Sequence, residues 1–195
     1  MKKYELTAEF IEKWGKKLFR IKALINFGSV EAGELGGYVE KEDNLAQDGN
    51  AWVCDDAEVY GNAWVYGNAE VCGNARVYGN AEVCGNARVY GNARVCGNAR
   101  VCGNARVCGN ADYLLIGRIG SRFSFTTFFK NKDKGITVSC GCFLGTIAEF
   151  RAKVTDTHGN NKHAKMYNLA ADMAELQILG EEHFDKLNTN KSEPF

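Results

Sequence analysis

Residues 140–146, Cys-Gly-Cys-Phe-Leu-Gly-Thr, have the composition of a loop that binds an anion. Two glycines precede an expected helix start at Thr146, and backbone N–H groups at a helix N-terminus can hold an oxyanion. Hydroxyl groups on the preceding strand and a nearby arginine would complete the pocket. The residues that we expect in this site are Arg122, Thr126, Thr127, Cys142, Gly145, Thr146 and His158. A plain loop followed by a capped helix is the alternative.

Cysteine and histidine side chains in the same region also allow a zinc site to be considered. The candidate ligands are Cys140, Cys142, His158 and His163. A Cys-x-Cys pair lacks the two-residue spacer that is usual in zinc sites, and the histidines belong to a different element. We therefore expect no metal site and no cofactor.

A hexad repeat organises the part of the chain that precedes these residues. Ten Gly-Asn-Ala triplets recur every six residues from Gly49 to Ala111. Within each hexad Ala and Val alternate with two other side chains, so that Ala and Val point to one side of a short strand. The Gly-Asn pair suits the corner that follows. A fixed period of six is typical of a β-helix, whose stacked coils bury the small apolar residues in a continuous core.

The hexads, at about residues 45–114, closely resemble the left-handed parallel β-helix (hexapeptide repeat) family, in which three hexads form one triangular coil. The resemblance implies a mainly β fold. Outward-facing aromatic side chains would suit self-association, and by analogy with the family we expect a homotrimer. These aromatic residues are Trp52, Tyr60, Trp64 and Tyr66.

Many members of that family are trimeric acyltransferases that use a histidine in a loop leaving the coil. Here the hexads contain neither an insertion nor a histidine, because His158, His163 and His183 all follow them. The family's catalytic residue therefore has no counterpart, and a general base would have to be His158. We expect a protein that is not an enzyme, with acyl transfer as an alternative.

Stacking three hexads to a coil places residues eighteen apart in one column. Arg88 and Arg106 then lie about 5 Å apart, which is unfavourable unless a carboxylate, an anion or solvent relieves the repulsion. Glu70 can pair with Arg88, whereas Arg106 has no acidic partner in its column. Both arginines are candidate ligand-binding residues. A charge ladder facing solvent or a second subunit is the alternative. The other expected pairs are Glu58–Arg76, Glu82–Arg100 and Asp112–Arg94.

Six of the eight cysteines occupy a hexad position that tyrosine also fills. Neighbours in one column, such as Cys84 and Cys102, would lie close enough for a disulfide. The sequence has no apolar run long enough for a signal peptide or a membrane span, which favours a cytoplasmic protein with free thiols. Its 24 basic and 24 acidic side chains give no net charge, so we expect no membrane partner and no bulk nucleic-acid partner.

The flanking segments predict the remaining elements. Residues 1–44 should form a hairpin (strands at 4–11 and 18–27), a loop at 28–38 and a degenerate first coil from Gly36. Residues 113–116 should end the last coil, and residues 115–180 should form a small α+β module. Its expected elements are strands at 122–130 and 136–143 and helices at 146–155 and 162–179, the second burying Met166, Leu169, Ala170, Met173 and Leu176. Residues 181–195 should form a flexible tail.

Several stretches together resemble proteins of phages and prophages, most of which have no described function. They are the N-terminal segment, residues 36–45, the hexads, Thr-Thr-Phe-Phe at 126–129, Cys-Gly-Cys-Phe at 140–143, Gly-Thr at 145–146 and His-Gly at 158–159. The resemblance implies a protein that works in the cytoplasm of an infected or lysogenic bacterium. We expect an oligomeric binding protein that sequesters a small anionic, nucleotide-type signal of bacterial defence. A scaffold that binds a partner protein is the alternative.

Overall fold

A computed structural model describes residues 1–182, so the predicted tail at 181–195, with His183, lies almost wholly outside the described residues. The chain divides into two compact units, Met1–Asn110 and the part from Ala111 onward. No described helix is long and apolar enough to cross a membrane.

The first unit begins with an antiparallel hairpin, as predicted. Strand β1 (Tyr4–Lys13) pairs with β2 (Lys16–Ala23). The turn between them uses Trp14 and Gly15, which both have positive φ. A third strand, β3 (Leu35–Val39), pairs antiparallel with β2.

Ten two-residue strands follow, one in each hexad. They are β4 (Trp52–Val53), β5 (Glu58–Val59), β6 (Trp64–Val65), β7 (Glu70–Val71), β8 (Arg76–Val77), β9 (Glu82–Val83), β10 (Arg88–Val89), β11 (Arg94–Val95), β12 (Arg100–Val101) and β13 (Arg106–Val107). Their sheets have the orders β4-β7-β10-β13, β6-β9-β12 and β1-β2-β3-β5-β8-β11. Every third strand therefore stacks in parallel, which confirms a β-solenoid with three hexads to a coil. The left hand of the winding stays a prediction.

Main-chain hydrogen bonds and a narrow apolar core hold the coils together. The N–H group of Trp52 donates to the Ala69 carbonyl at 2.9 Å, and this pattern repeats along the stack. The hexad Ala and Val residues from Ala51 to Val107 are at most 1 % exposed. Small side chains at these positions let the three sheets approach closely, so the core is continuous although each strand contributes little to it.

The N-terminal segment caps the open end of the stack. Carbonyls of each coil accept N–H groups from the coil before it, and those of the first coil have no such donors. The buried Lys3 supplies them, because its Nζ donates to the carbonyls of Asp48, Gly49 and Ala51 at 3.2, 3.4 and 2.9 Å. Burial lowers the pKa of Lys3 to about 8. Strand β3 pairs in parallel with β5, which confirms the predicted degenerate first coil.

Two predictions about the solenoid surface are wrong. Trp52 is only 3 % exposed, because Tyr4 and Phe27 of the cap cover its ring. Free thiols were expected at all six hexad cysteines, whereas four of these form the disulfides Cys54–Cys72 and Cys84–Cys102. Adjacent coils place the Cα atoms of each pair 4.7 and 4.6 Å apart, within the range of disulfides.

The second unit is a four-stranded antiparallel sheet followed by two helices. The strands β14 (Tyr113–Ile119), β15 (Ser124–Lys130), β16 (Ile136–Cys140) and β17 (Phe143–Thr146) pair in sequence order. Residues 113–116 were expected to end the last coil. They belong to this sheet instead. The strand predicted at 136–143 is broken at Gly141, whose positive φ starts a tight hairpin between Cys140 and Phe143.

Helix α1 (Ile147–His158) starts at the predicted cap, Thr146, and extends beyond the predicted end. Helix α2 (Lys162–Leu179) has the predicted bounds, but the prediction of its buried face is wrong except at Ala170. Met166, Leu169, Met173 and Leu176 are 39–64 % exposed. The buried residues are Ala164, Tyr167, Ala170, Ala171, Ala174, Glu175 and Ile178. Alanines let α2 pack closely in this core, and the buried Glu175 pairs with Arg151 of α1 at 2.7 Å.

Candidate ligand-binding sites

One cavity, here called the C-terminal cavity, lies within the second unit and has a volume of about 400 Å³. The segment before β15, the β16–β17 turn, one face of α1 and Tyr167 of α2 line it. Its lining residues are Ser121, Arg122, Ser124, Cys140, Gly141, Phe143, Phe150, Lys153, Val154, Thr157, His158 and Tyr167. A cavity of this size is in the range that binds small organic ligands.

The charges around the C-terminal cavity favour an anion. Arg122, Lys153 and His158 line it, and no carboxylate is among its described lining residues. Lys153 also forms an exposed ion pair with Asp156 at 3.1 Å, whereas no ion pair of Arg122 occurs within residues 1–182. A guanidinium group without a carboxylate partner retains its donors for a phosphate or carboxylate ligand.

Besides its cationic residues, the C-terminal cavity is lined by aromatic rings. The ring of Phe150 lies 5.7 Å from Phe143 and 5.6 Å from Tyr167, measured between centroids. His158 stacks on Tyr167 at 5.8 Å with an interplanar angle of 27°. Planar rings beside cationic groups suit a ligand that carries both an anion and an aromatic ring.

A hydroxyl–thiol cluster lies behind the cavity wall at Cys140. Thr126, which is fully buried, has its Oγ1 3.2 Å from Cys140 Sγ. Tyr167 is also hydrogen-bonded to Cys140. Burial, and then the neighbouring Cys140, raises the pKa of Tyr167 to about 12. Thr126 thus supports the cavity from behind its lining.

The structure brings together only Arg122 and His158 of the seven residues predicted around the 140–146 loop. Thr127 is buried in β15, and Cys142 is exposed at the hairpin tip. Gly145 lies opposite Val138 in the β16–β17 ladder.

At Thr146 the expected anion cradle is filled by the protein itself. The N–H group of Thr146 donates to Glu149 Oε2 at 2.7 Å, and the Glu149 N–H group donates to Thr146 Oγ1 at 3.2 Å. This capping box uses the amide groups that the prediction left open. The hydrogen bonds to Thr146 hold the pKa of the Glu149 carboxyl below its ordinary value.

Apart from His158, sequence reasoning missed the residues that the helices bring to the cavity. Phe150, Val154 and His158 follow one another at a spacing of four, so they share one face of α1. That spacing is a signal that the sequence contained. Tyr167 is different, because its neighbour Cys140 lies on another element and only the packing of α2 brings them together.

The predicted arginine column lies on a shallow groove of the solenoid. Arg88 and Arg106 are register partners on β10 and β13. Glu70 pairs with Arg88 at 2.9 Å, and Arg106 Nη1 donates to the Asn86 and Ala105 carbonyls at 3.1 and 3.0 Å. The repulsion between the arginines is therefore relieved without a ligand. Both also line a groove of about 470 Å³ that includes Glu34 and Glu70, so its charge is balanced.

Two further expected ion pairs of the solenoid are confirmed. Glu58 pairs with Arg76 at 3.4 Å, and also with Lys13, while Glu82 pairs with Arg100 at 3.3 Å. Asp112 pairs with Lys130 at 3.4 Å.

A zinc site would need the four candidate cysteine and histidine side chains around one point, and they do not all line the same cavity. Cys140 and His158 line the C-terminal cavity, whereas Cys142 and His163 do not. Elsewhere in the described chain, Cys54, Asp55 and Cys72 have ligand atoms within 4.8 Å of one another. The two sulfur atoms of that group are joined in a disulfide and are not available as thiolates.

Comparison with known families agrees with the first unit of the fold. The family described as YdcK Beta solenoid repeat matches residues 69–85, 81–97 and 99–111. This match covers part of the solenoid and none of the residues that line the C-terminal cavity. No curated protein matches the chain at a significant level.

Proposed function

We propose that this protein is a non-catalytic binding protein whose C-terminal cavity captures a small anion that carries an aromatic ring, of which a mononucleotide is the best example. One observation carries this proposal. Arg122, Lys153 and His158 converge on a cavity walled by aromatic rings and lined by no described carboxylate. Phosphate groups would bind the cationic side, and a base would pack against Phe143 or Phe150.

The volume of the cavity supports a ligand of this size. About 400 Å³ accommodates one nucleotide-sized molecule. The hydroxyl groups of Ser121, Ser124 and Thr157 add hydrogen-bonding partners for a sugar or phosphate. We therefore prefer this cavity over the solenoid groove, where Arg88 pairs with Glu70 and Arg106 donates to main-chain carbonyls.

The finer version of this proposal is sequestration of a nucleotide signal of bacterial defence, by a phage-encoded protein in the host cytoplasm. The sequence resemblance to phage proteins is its support. A homotrimer belongs to the same proposal. Trp64 supports it, because its ring is 44 % exposed on the solenoid surface and stacks on Tyr66 at 4.0 Å.

Native mass spectrometry of the protein as purified, followed by denaturation and identification of released small molecules, tests the proposal. Calorimetry with a panel of mono-, di- and cyclic nucleotides then gives the affinities. We expect Arg122→Ala to weaken binding at least about tenfold, since a charge-assisted hydrogen bond contributes about 1.5–3 kcal/mol.

Arg118→Ala is the matched control, because Arg118 is an exposed arginine of β14, in the same unit, that does not line the cavity. It should leave the affinity unchanged. Equal affinities of the wild type and Arg122→Ala for every bound nucleotide would refute the proposed site. A protein that is purified empty and binds no member of the panel would refute the nucleotide class.

A further inference from the structure

The exposed face of α2 is a narrow apolar stripe with regular spacing. Met166, Leu169, Met173 and Leu176 succeed one another at intervals of three, four and three residues. All four are 39–64 % exposed. This is the a/d spacing of a helix that packs along a second helix, and a stripe restricted to these positions is the narrower seam of a coiled coil.

The rest of α2 shows that the stripe is separate from the core of the unit. Residues Ala164, Ala171 and Ala174, on the opposite face, are at most 2 % exposed in the core with α1 and the sheet. The helix therefore has two apolar faces, one of small buried residues and one of large exposed residues. Exposed Leu and Met side chains at this density mark a contact surface.

The charges at the two ends of α2 indicate which partner fits the stripe. Lys162 and Lys165 are exposed at its N-terminal end, and Glu181 and Glu182 are exposed just after its C-terminal end. The first turn contains no acidic residue and the last turn no basic residue. This order opposes the helix dipole, which favours acidic groups at the N-terminus and basic groups at the C-terminus.

An antiparallel copy of the same helix removes that conflict. In this arrangement the lysines of one copy lie beside the glutamates of the other, and the two helix dipoles oppose each other. The stripe is also self-complementary about a two-fold axis near residue 171. Met166 of one copy meets Leu176 of the other, and Leu169 meets Met173.

We propose that α2 is a dimerisation helix, which pairs with α2 of a second copy of this chain in antiparallel orientation through Met166, Leu169, Met173 and Leu176. The contact is small, so the pairing is concentration-dependent. It uses none of the residues that line the C-terminal cavity. Its failure is therefore distinguishable from failure of the proposed ligand binding.

The mass of the assembly over a dilution series, from light scattering after size exclusion and from native mass spectrometry, tests this inference. We expect an even number of chains in the wild type, which is six where the proposed solenoid homotrimer also forms, and half that mass in Leu169→Glu/Met173→Glu. The control is Leu144→Glu, because Leu144 is 50 % exposed on β17 of the same unit. It should keep the wild-type mass. Circular dichroism should show that both variants are folded.

Charge reversal tests the antiparallel orientation. Lys162→Glu/Lys165→Glu should shift association to higher protein concentration, and adding Glu181→Lys/Glu182→Lys should restore it. A parallel pair would be insensitive to the first change, because like charges would face each other before and after it. A wild-type mass that Leu169→Glu/Met173→Glu leaves unchanged, or a wild type that is monomeric at all concentrations, would overturn the proposal.

Discussion

Glycine-to-alanine substitutions at equivalent dihedral angles should destabilise this protein by different amounts. Gly15, Gly61 and Gly85 have φ of 72°, 72° and 69°. An alanine in this left-handed region costs about 1 kcal/mol at each position. The three sites differ in their surroundings, because Gly15 lies in the hairpin turn and the other two lie at solenoid corners. Any loss of stability beyond this common strain therefore measures the cost of placing a methyl group between closely spaced coils.

The structure gives the order of the three effects. A Cβ on Gly15 would have no atom within 4 Å, and one on Gly61 would lie 3.3 Å from the backbone of Gly79. On Gly85 it would lie 2.9 Å from the Gly103 nitrogen, closer than side chains pack. Since backbone of the next coil is held by its hydrogen bonds, overpacking adds about 1–3 kcal/mol. We expect losses of about 1 kcal/mol for Gly15→Ala, 2 for Gly61→Ala and 3 for Gly85→Ala.

Urea denaturation followed by tryptophan fluorescence measures these losses. All three tryptophans, Trp14, Trp52 and Trp64, belong to the first unit, so their emission reports on the solenoid and its cap. Unchanged slopes of the transitions would show that the losses are in stability and not in cooperativity. Gly15→Ala is the control for dihedral strain alone. Equal losses in all three variants would refute the reasoning, because they would mean that adjacent coils move apart without cost.

Three further effects should be measurable. Replacing Cys84 and Cys102 by alanine should lower the free energy of unfolding by about 3 kcal/mol, because their disulfide closes an 18-residue loop. Tryptophan fluorescence in urea measures this loss, and an unchanged midpoint would contradict it. Arg151→Met should destabilise the second unit by about 3 kcal/mol, because it leaves the buried Glu175 carboxylate without its partner. Thermal melts followed by circular dichroism measure this loss, and adding Glu175→Gln should recover most of it. Ultraviolet titration of Tyr167→Phe should lack one phenol that ionises near pH 12 in the wild type, and a difference curve centred near pH 10 would contradict this. Because the folded pKa of Tyr167 is raised, its contribution to the stability of the folded protein is full below about pH 10 and is lost as the pH rises to about 12.

The sequence by itself determined most of the first unit. Each hexad contains its own strand, its own corner and its own contribution to the core, so a local pattern repeated every six residues specifies stacked coils. The resemblance to the hexapeptide-repeat family implied three hexads to a coil and hence the columns of side chains. The Glu70–Arg88 pair followed from that register alone. The bounds of α2 were equally local, because Asn161 caps its start and Gly180 ends it.

Tertiary structure decided the features that depend on which elements pack together. Leu and Met at helical spacing indicated the core face of α2, but the sheet and α1 accept the alanine face, whose small side chains allow close packing. The chain end at Lys3 covers carbonyls that belong to the first coil, a contact between residues more than forty positions apart. The break at Gly141 turned an expected strand-to-helix loop into a hairpin.

The candidate site was predictable only in part for the same reason. Arg122 and His158 have the right chemistry in the sequence, and their meeting around one cavity required the turn before β15 and the packing of α1. Thr146 looked available for an anion because a sequence does not show that Glu149 already occupies its amide group. Local periodicity therefore determined the solenoid, whereas the cavity and the exposed stripe arise from contacts between elements, which no local pattern encodes.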